Sequence, residues 1–175
     1  MSKEETGWPA LPYRDWAETC TALDLWTQIV DKYRLAHTPW VNPSWHATLY
    51  VTPRGLTTGM VPDAKSAITL TFDFHDHALI GETADMRESF PLEAMSVADF
   101  LSRTTTLVER LGGRMDIHGA PKEISDAKPF AQDTVLRPYD RGAVERFHRA
   151  LVQIDRVTAY TRSNQSRLRP SSTSE

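Results

Sequence analysis

Between Ile68 and Phe74 the chain alternates without a break: Ile68, Leu70, Phe72 and Phe74 are apolar, while Thr69, Thr71 and Asp73 are polar. Successive side chains on a β-strand point to opposite faces, so a period of two gives a strand with one buried face and one wet face. Both phenylalanines fall on the buried face. Its neighbours read the same way. His46 to Val51 is expected to be a strand, Pro53-Arg54-Gly55 its turn, and Leu56 to Val61 the next strand. His75 to His77 makes a tight connection to a strand over Ala78 to Thr83, and Arg87 to Leu92 supplies another. The sum is an antiparallel β-meander of about four to six strands.

The period changes on either side. Trp16, Cys20, Leu23, Trp26, Val30 and Tyr33 recur at helical spacing, with Thr21, Asp24, Gln28 and Asp31 opposite them. Asp15 as N-cap and Glu18 three residues on suggest a capping box at the start, and Pro39 bars continuation. Ser96 with Asp99 opens a second helix whose apolar face is Val97, Phe100, Leu107, Val108 and Leu111, and Gly112-Gly113 stops it. The β-branched run Thr104-Thr105-Thr106 weakens this helix, so packing must hold it. Arg114 to His118 is expected to be a short strand, and Pro121 to Pro138 an irregular crossing segment. Asp140 then caps a third helix facing inward through Val144, Phe147, Leu151, Ile154 and Val157. The fold class is therefore α+β, an antiparallel meander flanked by an N-terminal, a middle and a C-terminal helix.

With 175 residues, one core over residues 1–160 is the natural reading, and residues 161–175, almost free of apolar side chains, are expected to form a disordered polar tail. A formal net charge of −3 leaves no basic field to draw in nucleic acid or anionic lipid. No apolar run approaches the roughly 20 residues of a transmembrane helix. The lone Cys20 cannot form an intramolecular disulfide, and the N-terminus lacks the basic and apolar regions of a signal peptide, so the expected location is the cytoplasm.

Trp8-Pro-Ala-Leu-Pro-Tyr13, Leu25-Trp-Thr-Gln-Ile-Val30, Pro39-Trp-Val-Asn42 and Ser44-Trp-His46 together resemble an uncharacterised bacterial family of unknown function. The resemblance continues through Leu49-Tyr-Val-Thr52, Phe72-Asp-Phe74, Ser96-Val-Ala-Asp-Phe100, Pro129-Phe130 and Asp155-Arg-Val157. It departs at Pro43 and Leu136, where such proteins tend to carry histidine, and at His75, where they tend to carry an apolar residue. Similar proteins continue into a second aromatic-rich half, so the resemblance makes this chain look like the N-terminal half with a divergent tail. It implies no activity.

All five tryptophans lie in the first 46 residues. Trp16 and Trp26 belong to a helix face and Trp8 to its lead-in, which leaves Trp40, Asn42, Trp45 and His46 in the bend before the first strand. Two indoles beside an amide and an imidazole could wall a small-molecule pocket, although such residues more often cap a core. His75 and His77 have the H-x-H spacing of two ligands on one strand face, and His46 could complete a zinc or iron site, but the pair sits where the meander turns. Asp73, Asp76 and Glu82 could gather carboxylates for acid–base work, or decorate a wet face. Cys20 reads as core, and Arg146, Arg149 and Arg156 as a mixed-charge helix face broken by Glu145 and Asp155. Nucleotide-loop, hydrolase-elbow and paired-cysteine signatures are absent.

The function therefore stays unknown from sequence. The preferred expectation is a non-catalytic module binding a small molecule or a protein through the tryptophan-rich bend, with no cofactor. The alternatives are a metal-dependent hydrolase using His46, His75 and His77, and a truncated fragment with no independent activity; an exposed sheet edge could also lead to self-association.

Overall fold

The computed structural model describes residues 8–38, 49–63, 66–117, 119–121 and 128–167. Five strands form one antiparallel sheet in sequence order: β1 (Tyr50–Thr52), β2 (Gly55–Asp63), β3 (Ser66–Asp73), β4 (Ala78–Glu82) and β5 (Arg87–Pro91). Helices α1 (Ala17–His37), α2 (Val97–Arg110) and α3 (Arg141–Arg167) accompany it. The expected α+β meander is the observed architecture.

The register carries the period-two pattern across the sheet. Phe72 lies opposite Leu56 on one side and Leu79 on the other, and Leu70 lies opposite Gly81. These residues form the buried face. A bulge interrupts β2 between Thr57 and Met60, where Gly59 has φ of 65°. There the buried Thr58 hydroxyl replaces a strand partner and accepts the Leu70 N–H at 3.0 Å.

Four aromatic rings tie the helices to that face. Trp26 of α1 stacks on Phe100 of α2 with centroids 4.9 Å apart, and Phe100 stacks in turn on Phe72 of β3 at 5.9 Å. Tyr139, just before α3, also stacks on Trp26, at 5.9 Å. Gly81 lets α2 come close, because a Cβ there would stand 2.3 Å from a Leu107 methyl. The buried Trp26 indole N–H has no hydrogen-bond partner among the described residues, a cost of about 1–3 kcal/mol that the stacking and burial must offset.

The second helix starts as expected: Ser96 Oγ accepts the Asp99 N–H at 3.0 Å. Each threonine of the weak run bonds back to the carbonyl four residues earlier, Thr104 to Phe100, Thr105 to Leu101 and Thr106 to Ser102. The hydroxyls are thus satisfied inside the helix, and fully buried Thr104 faces the core.

Several expectations are corrected. Asp15 does not cap α1: it ends a 3-10 turn over Tyr13–Asp15, and Trp16 takes the cap position without a side-chain hydrogen bond. The turn uses up Asp15 by placing it inside hydrogen-bonded backbone, and its carboxylate pairs with Arg14 in solvent. Residues 113–117 form no strand, because the Arg114 N–H is donated to the Asp63 carboxylate rather than to a neighbouring strand. The part of the first expected strand over 46–48 lies outside the described residues, and β1 begins at Tyr50. Helix α3 buries Val144 and partly buries Phe147 and Leu151, but Ile154 and Val157 are exposed. It extends to Arg167. A helix satisfies its own backbone groups and so can continue without an apolar face.

The aromatic column makes a direct prediction. Phe100→Ala should lower stability by about 3–5 kcal/mol, and Phe100→Leu by clearly less, in urea unfolding followed by tryptophan fluorescence. Equal, small effects from both substitutions would show that the column does not hold α2 to the sheet.

Candidate functional site

At one end of the sheet the β1–β2 turn, the β3–β4 turn and the start of α3 meet around a cleft of about 470 Å3 lined by Pro53, Arg54, Phe74, His75, Glu145, His148 and Arg149. Arg54 also borders a second cleft, of about 480 Å3, with Thr52, Thr71, Asp73, Glu82 and Arg87.

Arg54 is held from below. Its Nε donates to Asp73 Oδ2 and its Nη2 to Asp76 Oδ2, both at 2.6 Å. Asp73 is 3% exposed and closes the turn as well, its Oδ1 accepting the N–H groups of His75 and Asp76 at 2.9 Å. An aspartate bonded to the backbone two and three residues on is the side-chain device that makes a tight turn. Burial pushes the Asp73 carboxyl up, but Arg54 and the two backbone donors outweigh it and hold it below the ordinary aspartate value.

His148 Nε2 lies 2.8 Å from the Thr52 carbonyl oxygen, and its ring stands edge-on to Phe74. A carbonyl only accepts, so Nε2 carries hydrogen and Nδ1 of the neutral ring is left as an acceptor. His77 is 5% exposed and sits at φ of 50°, in the left-handed region that costs a non-glycine residue roughly 1–2 kcal/mol. Its surroundings hold it there: its carbonyl accepts the Leu92 N–H at 2.7 Å, Nδ1 lies 3.1 Å from the Tyr139 hydroxyl, and Nε2 lies 3.4 Å from Glu145 Oε1. Because the carboxylate only accepts, the direction runs from phenol to imidazole to carboxylate. Burial pushes the Tyr139 phenol up and keeps its proton in place for this chain.

A buried polar cluster lies elsewhere, between α1, the end of β2 and the segment after α2. Asp63 Oδ2 accepts from the Tyr33 hydroxyl at 2.8 Å and the Arg114 N–H at 2.9 Å, and faces His37 Nε2 at 3.5 Å. Burial, then the bond to Asp63, pushes the Tyr33 phenol up. Asp63 Oδ1 has no partner among the described residues.

Trp40, Asn42, Trp45 and His46 lie outside the described residues. His75 is exposed in the cleft, whereas His77 is buried with both ring nitrogens engaged, because the turn between β3 and β4 separates them. Among the described residues, no three histidine, cysteine, aspartate or glutamate side chains are grouped to hold a metal ion. Asp73 and Asp76 do come together, but around Arg54, and Glu82 pairs with Arg87 at 3.2 Å. Cys20 is half-buried on α1, and burial followed by the nearby Asp24 carboxylate raises its thiol, which opposes thiolate chemistry. Arg54 reads from sequence only as a turn residue and Glu145 and Arg149 only as a helix surface, and no sequence signal singles out His148. The one signal available was Asp73-Phe74-His75-Asp76, an aspartate-led turn with an arginine turn before it.

The model of a family of unknown function (DUF5996) matches residues 8–168. The chain belongs to that family. The DUF5996 match takes in all five strands and reaches past Val157, where the resemblance in sequence had ended. No curated protein and no solved structure matches the chain. No helix among the described residues of this DUF5996 chain is long and apolar enough to cross a membrane.

The Asp73 carboxyl sets a pH dependence. A carboxyl held low in the folded state adds stability above its unfolded value of about 3.9, and that contribution is lost as pH falls through that value toward the folded one. Asp73→Asn should therefore cost about 1–2 kcal/mol at pH 7, an amount reduced by the solvent around half-exposed Arg54, and distinctly less at pH 3. Urea unfolding at both pH values measures this. The same loss at both would mean that the charge on Asp73 contributes nothing.

Proposed function

We propose that the chain is a non-catalytic binding module for a small polar molecule, and that the molecule sits in the cleft between the two sheet turns and α3. The observation that carries this reading is the fixing of the cleft's side chains from behind: Arg54 by Asp73 and Asp76, His148 by the Thr52 carbonyl, and Glu145 by His77. Polar groups so held keep their geometry while a solute enters, which removes part of the ordering cost of binding. Exposed Pro53 supplies apolar surface at the cleft, with buried Phe74 behind it.

The groups around the cleft are tied to one another in the manner of a scaffold. Among the described residues, none that lines the cleft carries a hydroxyl or a thiol, the nucleophiles that such a covalent mechanism would use. Trp40, Asn42, Trp45 and His46 belong to the same proposal as a second contribution to binding, to be tested separately from the cleft.

The test is a melting-temperature screen of the full chain against neutral, cationic and anionic metabolites, repeated with His148→Ala and with a Trp40→Ala, Trp45→Ala double variant. At least one ligand class should raise the melting temperature by about 2 °C or more, as expected at a ligand concentration well above its Kd, and lose the effect in His148→Ala. A ligand lost only in the tryptophan double variant would move the site to the bend. Unchanged melting across all classes would end the binding reading.

A further inference from the structure

We infer that the ligand of this cleft presents an oxyanion, a carboxylate or a phosphate group, to Arg54 and Arg149; this rests on the cleft being the binding site.

A guanidinium carries five N–H donors, and the clamp takes one from Nε and one from Nη2. The Nη1 pair and the second Nη2 hydrogen remain, on a group whose plane is set by two carboxylates. Asp73, the inner of these, is itself fixed by two backbone bonds. An arginine with its side edge anchored and its end edge free is preorganised for the two-pronged geometry of a carboxylate or phosphate. Arg54 borders both clefts and is half-exposed, so a solute can reach it.

The second cation is free for a structural reason. Arg149 follows Glu145 by four residues, the spacing at which oppositely charged side chains on a helix pair. Glu145 lies instead against His77, and among the described residues Arg149 makes no ion pair. Arg149 is exposed and lines the cleft. Asp73 and Asp76 carry two negative charges against the one positive charge of Arg54, and Glu145 offsets Arg149, so the oxyanion is held by directed N–H donors of the two guanidinium groups rather than by a net positive field. Exposed His75 and half-buried His148 line the same cleft.

The experiment is a titration of the full chain, labelled with nitrogen-15, with inorganic phosphate, with acetate and with succinate, each against sodium chloride at matched ionic strength. The readout is the side-chain signals of His75, His148 and the arginine Nε groups. Saturable shifts with phosphate, with a carboxylate or with both, absent with chloride and weakened about tenfold or more in Arg149→Ala, are the expected result, and which anion saturates first identifies the group. Arg54→Lys, which keeps the charge but loses the fork, should weaken the same anion by a similar factor while retaining the native melting temperature to within a few degrees. Shifts that follow ionic strength alone, or that persist in Arg149→Ala, overturn the oxyanion. A neutral or cationic ligand that emerges from the screen, dependent on His148 but indifferent to Arg149→Ala, would keep the binding module and discard the oxyanion. No binding of any class would remove both.

Discussion

The stacking of Trp26 on Phe100 and of Phe100 on Phe72 is the contact from which the rest of the molecule is arranged. A sheet with one apolar face must bury that face against another layer, and here a single run of near-parallel rings joins it to two helices at once. The interplanar angles of 8° and 4° place the rings as flat plates, which fixes both the distance and the rotation of α1 and α2 relative to β3. Tyr139 extends the column to the segment that leads into α3.

That extension connects core to cleft. Tyr139 stacks on Trp26 with one face and gives its hydroxyl to His77, which in turn holds Glu145. The start of α3 is therefore located by the same column that seats α1 and α2, and Asp140 secures it by accepting the Ala143 N–H at 3.0 Å. The two sheet turns are located independently, by strand register and by the Asp73 turn. The cleft forms where these two sets of constraints meet, which explains how it can be both polar and fixed.

The sequence showed the local parts of this well. The alternation over Ile68 to Phe74 and the Ser96–Asp99 start are short-range patterns, and each appears where its period or cap placed it. The site was less legible because it depends on separations no local pattern encodes: Arg54 meets Asp73 across 19 residues, and His77 meets Glu145 across 68. The H-x-H pair shows how a local rule fails. Strand spacing would put His75 and His77 on one face, but the turn rotates the backbone to φ of 50° at His77 and sends one ring inward and the other to solvent. The Asp15 cap failed for a similar reason, because Pro12 and Tyr13 carbonyls start a 3-10 turn that already contains it.

Two buried aspartates, Asp63 and Asp73, hold their partners in different ways. Asp63 gathers donors from α1 and from the segment after α2, and it can do so only because position 113 is glycine: a Cβ there would stand 2.4 Å from Oδ2. Tyr33 is buried with it, and its bonds lock three elements together, at the cost of one oxygen without a partner among the described residues. Asp73 is equally buried, yet the group it holds is half-exposed. One carboxylate ends its hydrogen bonds inside the protein, and the other passes its rigidity to an arginine that still has donors to offer. Only the second arrangement leaves polar groups both ordered and within reach of a solute.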